Sequence, residues 1–479
     1  MLLGFLLACS SEPPLDTGEA VDSRATEPMD SADTAADCPS LGEGGAEDGS
    51  LPVIIGGGFA GLAAAIDLEE AILLESSAAL GGRGGSAGNR RWRFAGTAEQ
   101  AALDEESGAA ATFAEWERMT GAPGTADTLA VLEASAAVRA RLEGFGLAFD
   151  QPSVDFITGR HELFRALDDG PGITARLVAA LPSGIDVRLG VAATGLVFDT
   201  FGVSGVETPD GVIATRRVLL ASGGFAGRAD LVAEVTAWPL DTLALVDHPE
   251  EGWAYDMARA LCLPVGTPSA IGAMSGRLGG LGDGLAGSFS GEPPVIWVGA
   301  DGARFAMEGV TGSVQGEAAW AANSPAFVLT TEEGVRAGAP EGQADRFSAA
   351  LRCFDSFDTL AAAEGIDVAG LHATLAAVAA YRAGEPDPLG RDSALFPDLS
   401  GTPCAADPGR LPQKTFGGVE VDGQGRALNG EGEVVPGLWV AGEAAGMGAP
   451  GLGGQYGFDG SLTAVVWSAW RAAASMRER

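Results

Sequence analysis

Lysine is almost absent from this chain: Lys414 is the only one in 479 residues. Basic side chains number 29 against 65 acidic ones, for a formal net charge of −36. Binding to nucleic acid needs a basic footprint to neutralise phosphates, so that partner class is excluded. Attraction to anionic lipid surfaces is disfavoured for the same reason. No run of ~18 apolar residues occurs, so no membrane-spanning helix is expected. The three histidines, His161, His248 and His372, are scattered and read as core or surface residues rather than ligands. Five cysteines, Cys9, Cys38, Cys262, Cys353 and Cys404, form no C-x-x-C pair. Neither a metal site nor a redox dithiol is indicated, and no nucleophile elbow is present.

What the chain does have is glycine in ordered clusters. Val53 to Ala65 reads Val-Ile-Ile-Gly-Gly-Gly-Phe-Ala-Gly-Leu-Ala-Ala-Ala. A short apolar strand feeds a glycine turn that opens an alanine-rich helix. Gly56, Gly58 and Gly61 satisfy G-x-G-x-x-G in that context. Gly56 permits the tight turn, Gly58 lets backbone approach a pyrophosphate, and Gly61 lets helix and strand pack closely. The N-terminus of the helix offers free N–H groups and partial positive charge to phosphates. The next strand, Ala71–Glu75, ends in an acid 19 residues after Gly56, close to the ~20 at which a carboxylate meets the ribose. Dinucleotide binding follows; the bland alternative is a glycine-rich turn with no ligand.

The first residues read as an address. Met1–Ala8 is nearly all apolar, and Leu6-Leu7-Ala8-Cys9 is similar to a bacterial lipoprotein box, in which Cys9 would be lipidated. The positive region expected of a signal peptide is missing, so either the true start lies upstream or the similarity is accidental and the protein is cytoplasmic. Ser10 to Ser50 is acidic and poor in large apolar side chains. Such a segment cannot offset its ordering entropy and reads as a disordered tether. With Cys9 acylated, the other four cysteines can pair in three ways.

From Leu51 onward, β-like and helical runs alternate, which predicts an α/β class. Helices are predicted at Gly108–Gly121, Thr125–Gly144, Gly252–Leu261 and Asp367–Ala383, with another beginning in Gly159–Leu167. Ile185–Leu189, Val191–Asp199, Val203–Glu207 and Val212–Ala214 predict a β-meander turning at Pro209-Asp210-Gly211. Arg217–Ala221 reads as a buried strand that breaks into Ser222-Gly223-Gly224. After Ala229 the character changes, and β-type runs return at Gly417–Val421 and Gly437–Ala441, before a final helix near Ser461.

The second glycine cluster, Gly437-Leu438-Trp439-Val440-Ala441-Gly442-Glu443-Ala444-Ala445-Gly446, is a strand breaking into small residues. Taken with the first cluster, it resembles the flavoprotein family of fumarate reductase, succinate dehydrogenase and 3-ketosteroid dehydrogenase. Arg217–Ala226, Asp301–Glu308 and Lys414–Asp422 are similar to three further stretches of that family, in the same order. The resemblance runs from Leu51 to about Ala474. It implies an α/β fold: a Rossmann-like FAD-binding domain with an inserted α+β cap domain. The implied boundaries are a signal over 1–9, a tether over 10–50, the FAD domain over 51–228 and 398–479, and the cap over 229–397. It also implies FAD, held through Gly56, Gly58, Phe59, Ala60, Gly61, Glu75, Gly82, Gly223, Gly442, Glu443, Ser461 and Leu462. Glu75 would take the adenosine ribose, Glu443 the ribityl chain, and Ser461-Leu462 the flavin ring. A helix N-terminus aimed at the flavin stabilises the negative charge of its reduced form. Ser461 can cap that helix while its backbone faces the ring. The link Asp67–Glu70 is short for the family and demands a tight turn.

The chain departs from fumarate chemistry. Where the family carries a catalytic arginine it has Gly309-Val310-Thr311-Gly312, and Lys414 replaces a family histidine. A second histidine, expected after Gly252–Leu261, is also missing. Fumarate and succinate are therefore rejected as substrates. Tyr456 lies near the place of a catalytic tyrosine in the steroid dehydrogenases, one residue out of spacing. It either polarises a carbonyl or accepts a proton, or simply packs in its loop. Lys414 either binds an anion or enolate or is a surviving surface lysine. The reading is an FAD-dependent oxidoreductase working at a carbon next to a carbonyl, with a quinone or small redox protein as electron partner and Tyr456 and Lys414 as catalytic candidates. A flavin binder without catalysis and an amine-oxidising flavoenzyme are the alternatives.

Overall fold

A computed structural model describes residues 38–44, 49–85, 91–103, 108–120, 126–154, 161–236, 250–266, 269–274, 295–305, 325–338, 344–348, 351–391, 393–406, 410–446 and 461–478. The lipobox, Cys9, His248, Glu308 and Tyr456 lie outside the described residues.

The first half holds β1 (Val53–Ile55), α1 (Phe59–Leu68), β2 (Glu70–Glu75), β3 (Arg91–Arg93), α2 (Ala98–Ala101), α3 (Ala109–Thr120), α4 (Ala126–Gly144), β4 (Ser153–Val154) and β5 (His161–Arg165). It continues with α5 (Gly170–Ala179), β6 (Gly184–Leu189), β7 (Gly195–Asp199), β8 (Gly202–Thr208), β9 (Gly211–Ala214) and β10 (Val218–Leu220). Then come α6 (Ala229–Thr236), α7 (Trp253–Ala260), β11 (Ser269–Met274), β12 (Ile296–Gly299), β13 (Ala326–Thr331), α8 (Glu332–Gly338), α9 (Ala344–Ser348), β14 (Leu351–Cys353), α10 (Phe357–Glu364) and α11 (Val368–Arg382). The chain closes with β15 (Pro403–Ala406), β16 (Arg410–Phe416), β17 (Arg426–Leu428), β18 (Val434–Val440) and α12 (Leu462–Arg477).

A six-stranded sheet in the order β17-β18-β10-β1-β2-β6 organises the site. All of its pairings are parallel except β17–β18. The central strands β1 and β10 and the middle of β2 are buried on both faces and are apolar at every position rather than alternating. Ile54, Leu73, Leu219 and Trp439 face a core shared with α1, α5 and α12. Val53, Ile55, Ile72, Leu74, Val218, Leu220, Leu438 and Val440 face the other, shared with α7 and β8. The registers set Leu74, Ile55, Leu220 and Val440 in one row. The residues that follow, Glu75, Gly56, Ala221 and Ala441, therefore form a single rim. Such a rim of strand C-termini is where open α/β sheets bind ligands.

The remaining sheets are β12-β13-β15-β14, β7-β8-β9, β3-β5-β4 and β11-β16. The first of these has its own core with α10 and α11, around Ile296, Val298, Leu329 and Leu360. Cys353 and Cys404 form a disulfide between its strands β14 and β15. Because β15 pairs with β13 and β14, this sheet includes residues beyond 397.

Several sequence expectations change. Gly159–Leu167 was expected to begin a helix, but His161–Arg165 is strand β5, with Trp92 opposite Phe164. Leu163 and Phe164 are both buried on their opposite faces, a burial that pairing on two sides rewards and a helix there would not. The expected meander loses its first member: β6 joins the parallel sheet beside β2, and only β7, β8 and β9 run antiparallel. Within Gly417–Val421, only Val419 and Val421 make isolated bridges. The end of the expected tether is part of the folded body. Leu41 packs on the second core, and the Glu43 N–H donates to the Thr200 carbonyl at 2.9 Å. The tight link after α1 is present as foreseen: Glu69 takes φ +68° and is the only residue between α1 and β2.

Candidate active site: an FAD cleft

The rim of strand ends opens into a cleft lined from both glycine clusters, the usual place for a ligand in such a sheet. Of the twelve residues proposed from sequence to hold the cofactor, ten line it: Gly56, Gly58, Phe59, Ala60, Glu75, Gly82, Gly223, Glu443, Ser461 and Leu462. Gly61 and Gly442 stand behind the wall. A Cβ on Gly61 would lie 1.8 Å from the Gly56 carbonyl oxygen, and one on Gly442 2.8 Å from the Ala60 Cβ. Both glycines let a helix approach closely.

Gly58 is different. A Cβ there meets no protein atom nearer than 3.9 Å, and its φ of −72° suits any residue. Nothing in the polypeptide explains glycine at this position, whereas a dinucleotide backbone passing over it does. Gly58 also N-caps α1 without a side-chain bond, leaving the first N–H groups of the helix for phosphate oxygens. The buried Ser222 hydroxyl on the cleft wall has no protein partner. The residues present therefore fit FAD.

Glu75 is held ready at the end of β2. Its Oε2 accepts the Gly57 N–H at 2.7 Å, and its Oε1 accepts the Ser77 N–H and hydroxyl, both at 2.8 Å. At the other end, Glu443 follows β18 on the 3-10 turn Gly442–Ala445. Its Oε1 accepts the Thr415 N–H at 2.6 Å and the Thr415 hydroxyl at 2.7 Å. Room for this contact exists because residue 224 is glycine: a Cβ there would sit 1.9 Å from the Thr415 hydroxyl. Ser461 makes no capping bond to α12. The cap suggested from sequence is thus not formed, and the first N–H groups of α12 remain open at the cleft. Lys414 lies on β16 opposite Ile271, one residue before Thr415.

Sequence reasoning missed Arg83, Glu250, Glu251, Trp253, Ser222 and the segment Val191–Ala193, all of which line the cleft. Arg83 had a signal, since it follows Gly81-Gly82 in the loop after β2. Glu250 had none, being one acid among 65. Burial pushes its carboxyl well above the usual range, the charge of nearby Glu443 adds to this, and Arg83 opposes it. Among the described residues no group of His, Cys, Asp and Glu could hold a metal ion, and no helix is long and apolar enough to cross a membrane.

Residues 52–454 match the FAD binding domain family. The chain belongs to that family. It is an FAD-dependent oxidoreductase. Among solved structures, a 3-ketosteroid Δ1-dehydrogenase from Sterolibacterium denitrificans aligns with TM-score 0.71 at 16% identity, over 89% of this chain and 99% of its own. A 3-ketosteroid-Δ4-(5α)-dehydrogenase from Rhodococcus jostii RHA1 aligns with TM-score 0.68 at 19% identity, over 89% and 96%. An open flavocytochrome c3 fumarate reductase aligns with TM-score 0.66 at 21% identity, over 88% and 77%. At these identities the likeness shows the shared fold. No curated protein matches the sequence.

Proposed function

We propose that the protein moves a hydride between bound flavin and a carbon next to a carbonyl, as a dehydrogenase or an enone reductase, and does not use fumarate or succinate. FAD supplies the two-electron chemistry when bound. The chain's own residues bind and orient it: Glu75 takes the ribose hydroxyls, the open N-terminus of α1 takes the pyrophosphate, and Glu443 takes the ribityl chain. The N-terminus of α12 presents its dipole to developing negative charge. The observation that carries the reading is the Thr415–Glu443 contact. It ties β16 to the cleft wall. Lys414 and Tyr456 are proposed, from their places in the sequence, to stabilise negative charge on the substrate oxygen and to hold or move the proton. Residues 229–397 are proposed to cover the substrate face.

The test is anaerobic reduction of the purified flavoprotein with dithionite, followed by reoxidation with enones, fumarate and quinones. Rapid reoxidation by an enone and none by fumarate is expected. Reoxidation by fumarate alone, or by no compound offered, overturns the reading.

We further propose export and lipid anchoring through Cys9, with a quinone or small redox protein as electron partner. Supporting this is the Cys353–Cys404 disulfide, a bond usual in oxidising compartments. Cys9→Ala is expected to move the protein from the membrane to the soluble fraction; an unchanged distribution overturns the anchor.

A further inference from the structure

Thr415 is not among the described residues that line the cleft, yet it holds one that is. It is buried. Its N–H donates to Glu443 Oε1 at 2.6 Å, and its hydroxyl donates to the same oxygen at 2.7 Å. The hydroxyl oxygen also accepts the Phe225 N–H at 3.2 Å. A hydroxyl has one proton to give, and this one is committed to Glu443. Three places far apart in sequence are thereby joined: the loop after β10, the end of β16 and the turn after β18. The turn carrying Glu443 is held a second time through backbone, since the Val419 N–H donates to the Ala444 carbonyl at 2.8 Å. Gly224 leaves the space in which hydroxyl and carboxylate meet. A Cβ there would lie 1.9 Å from the Thr415 hydroxyl and 2.6 Å from Glu443 Oε1. Both Thr415 bonds fall on Oε1, so the second carboxylate oxygen, Oε2, is the one left for a ligand hydroxyl.

We propose that Thr415 is a positioning residue for the flavin half of FAD: by fixing Oε1 of Glu443 it sets the direction in which Oε2 meets the ribityl hydroxyls. This rests on the assignment of Glu443 to the ribityl chain. A free glutamate side chain loses rotamer entropy when a ligand orders it. Two donors on one oxygen meet that cost before FAD arrives. The residues assigned to the other half of the cofactor, Gly58 and Glu75, stand at the ends of β1 and β2 and make no bond to Thr415. Loss of the Thr415 hydroxyl therefore weakens the grip on the flavin half and leaves the ADP half as it was. A residue that only stabilised the fold would weaken both halves together.

The experiment titrates the full chain, stripped of flavin, with FAD by flavin fluorescence and with ADP by calorimetry. Thr415→Val removes the hydroxyl, keeps the shape and keeps the backbone N–H bond. Its FAD dissociation constant is expected to rise ~5-fold to 10-fold, the effect of one lost hydrogen bond, with its ADP dissociation constant unchanged. Thr415→Ser keeps the hydroxyl and is expected to match wild type for both ligands. Beside Glu443→Ala, which itself weakens FAD binding, Thr415→Val is expected to add little, because the group it acts through is gone. Thr415→Ala carries the same comparison should the valine variant not fold. Unchanged FAD affinity in Thr415→Val, an equal fall in ADP and FAD affinity, or an undiminished effect of that change beside Glu443→Ala overturns the proposal. FAD affinity unaffected by Glu443→Ala overturns the ribityl assignment beneath it. A wild-type chain that does not bind FAD overturns the assignment of the cleft instead.

Discussion

The parallel sheet around β1 and the antiparallel sheet of β12, β13, β14 and β15 treat their ends in opposite ways. Near the antiparallel sheet the polar ends are closed. Ser356 caps α10 and Asp367 caps α11 through side-chain bonds. Glu333 accepts the Thr402 N–H at 2.7 Å, the Arg304–Asp387 pair is buried at 3.1 Å, and a disulfide joins β14 to β15. Around the parallel sheet, α1 and α12 begin without side-chain caps, and β1 runs directly into glycine. Open helix ends are costly when buried. Their concentration on one rim marks where a ligand completes the structure.

That contrast can be broken most severely at Gly61. Gly61→Val puts a side chain on the Gly56 carbonyl and is expected to cost on the order of 5 kcal/mol, read as loss of soluble folded protein. Gly58→Ala, three residues away, meets no protein atom within 3.9 Å. It is expected to keep its melting temperature while FAD affinity falls by ~10-fold or more. If both variants lose stability equally, the distinction between a packing glycine and a ligand glycine is wrong.

On the closed side, Arg304→Met strands a buried aspartate and is expected to cost ~3–5 kcal/mol in denaturant unfolding, with FAD affinity of the folded fraction unchanged. Burial pushes the Asp387 carboxyl up, but the Arg304 bond and the N–H groups of Arg391 and Leu389 outweigh it and hold the group below its ordinary value. A depressed carboxyl stabilises above its unfolded pKa, and the contribution fades as pH falls through the folded one. Acid titration of stability is therefore expected to be shallower in Arg304→Met.

The paired change Cys353→Ala with Cys404→Ala is expected to cost ~2–4 kcal/mol and again to spare FAD affinity. A large loss of FAD would show that the two regions depend on each other. A change confined to FAD affinity is expected at Glu75→Gln, which keeps shape but weakens bonds from the Gly57 and Ser77 N–H groups. FAD affinity is expected to drop by ~1.5–3 kcal/mol, the range of a hydrogen bond to a charged group; no change would mean that Glu75 serves only the turn.

Much of the cleft was legible because its parts are local. Gly56, Gly58 and Gly61 fall within six residues, Glu75 ends the next strand, and Gly442-Glu443 directly follows an apolar run. Helices such as α4 and α11 were legible to within a residue or two from their spacing. Strand β5 was not, since its partner Trp92 lies far along the chain, and pairing outweighed the local helical pattern. Likewise Glu250 carries no pattern of its own.

By itself, then, the amino-acid order determined the glycine turns, the apolar strands and the family, because each depends on the conformational freedom or burial of neighbouring residues. Only the tertiary structure decided that Glu443 meets Thr415, that β6 joins the parallel sheet, and that Cys353 pairs with Cys404. Those contacts join residues tens to hundreds of positions apart. Their energies depend on burial and on partners that exist only once the chain has closed.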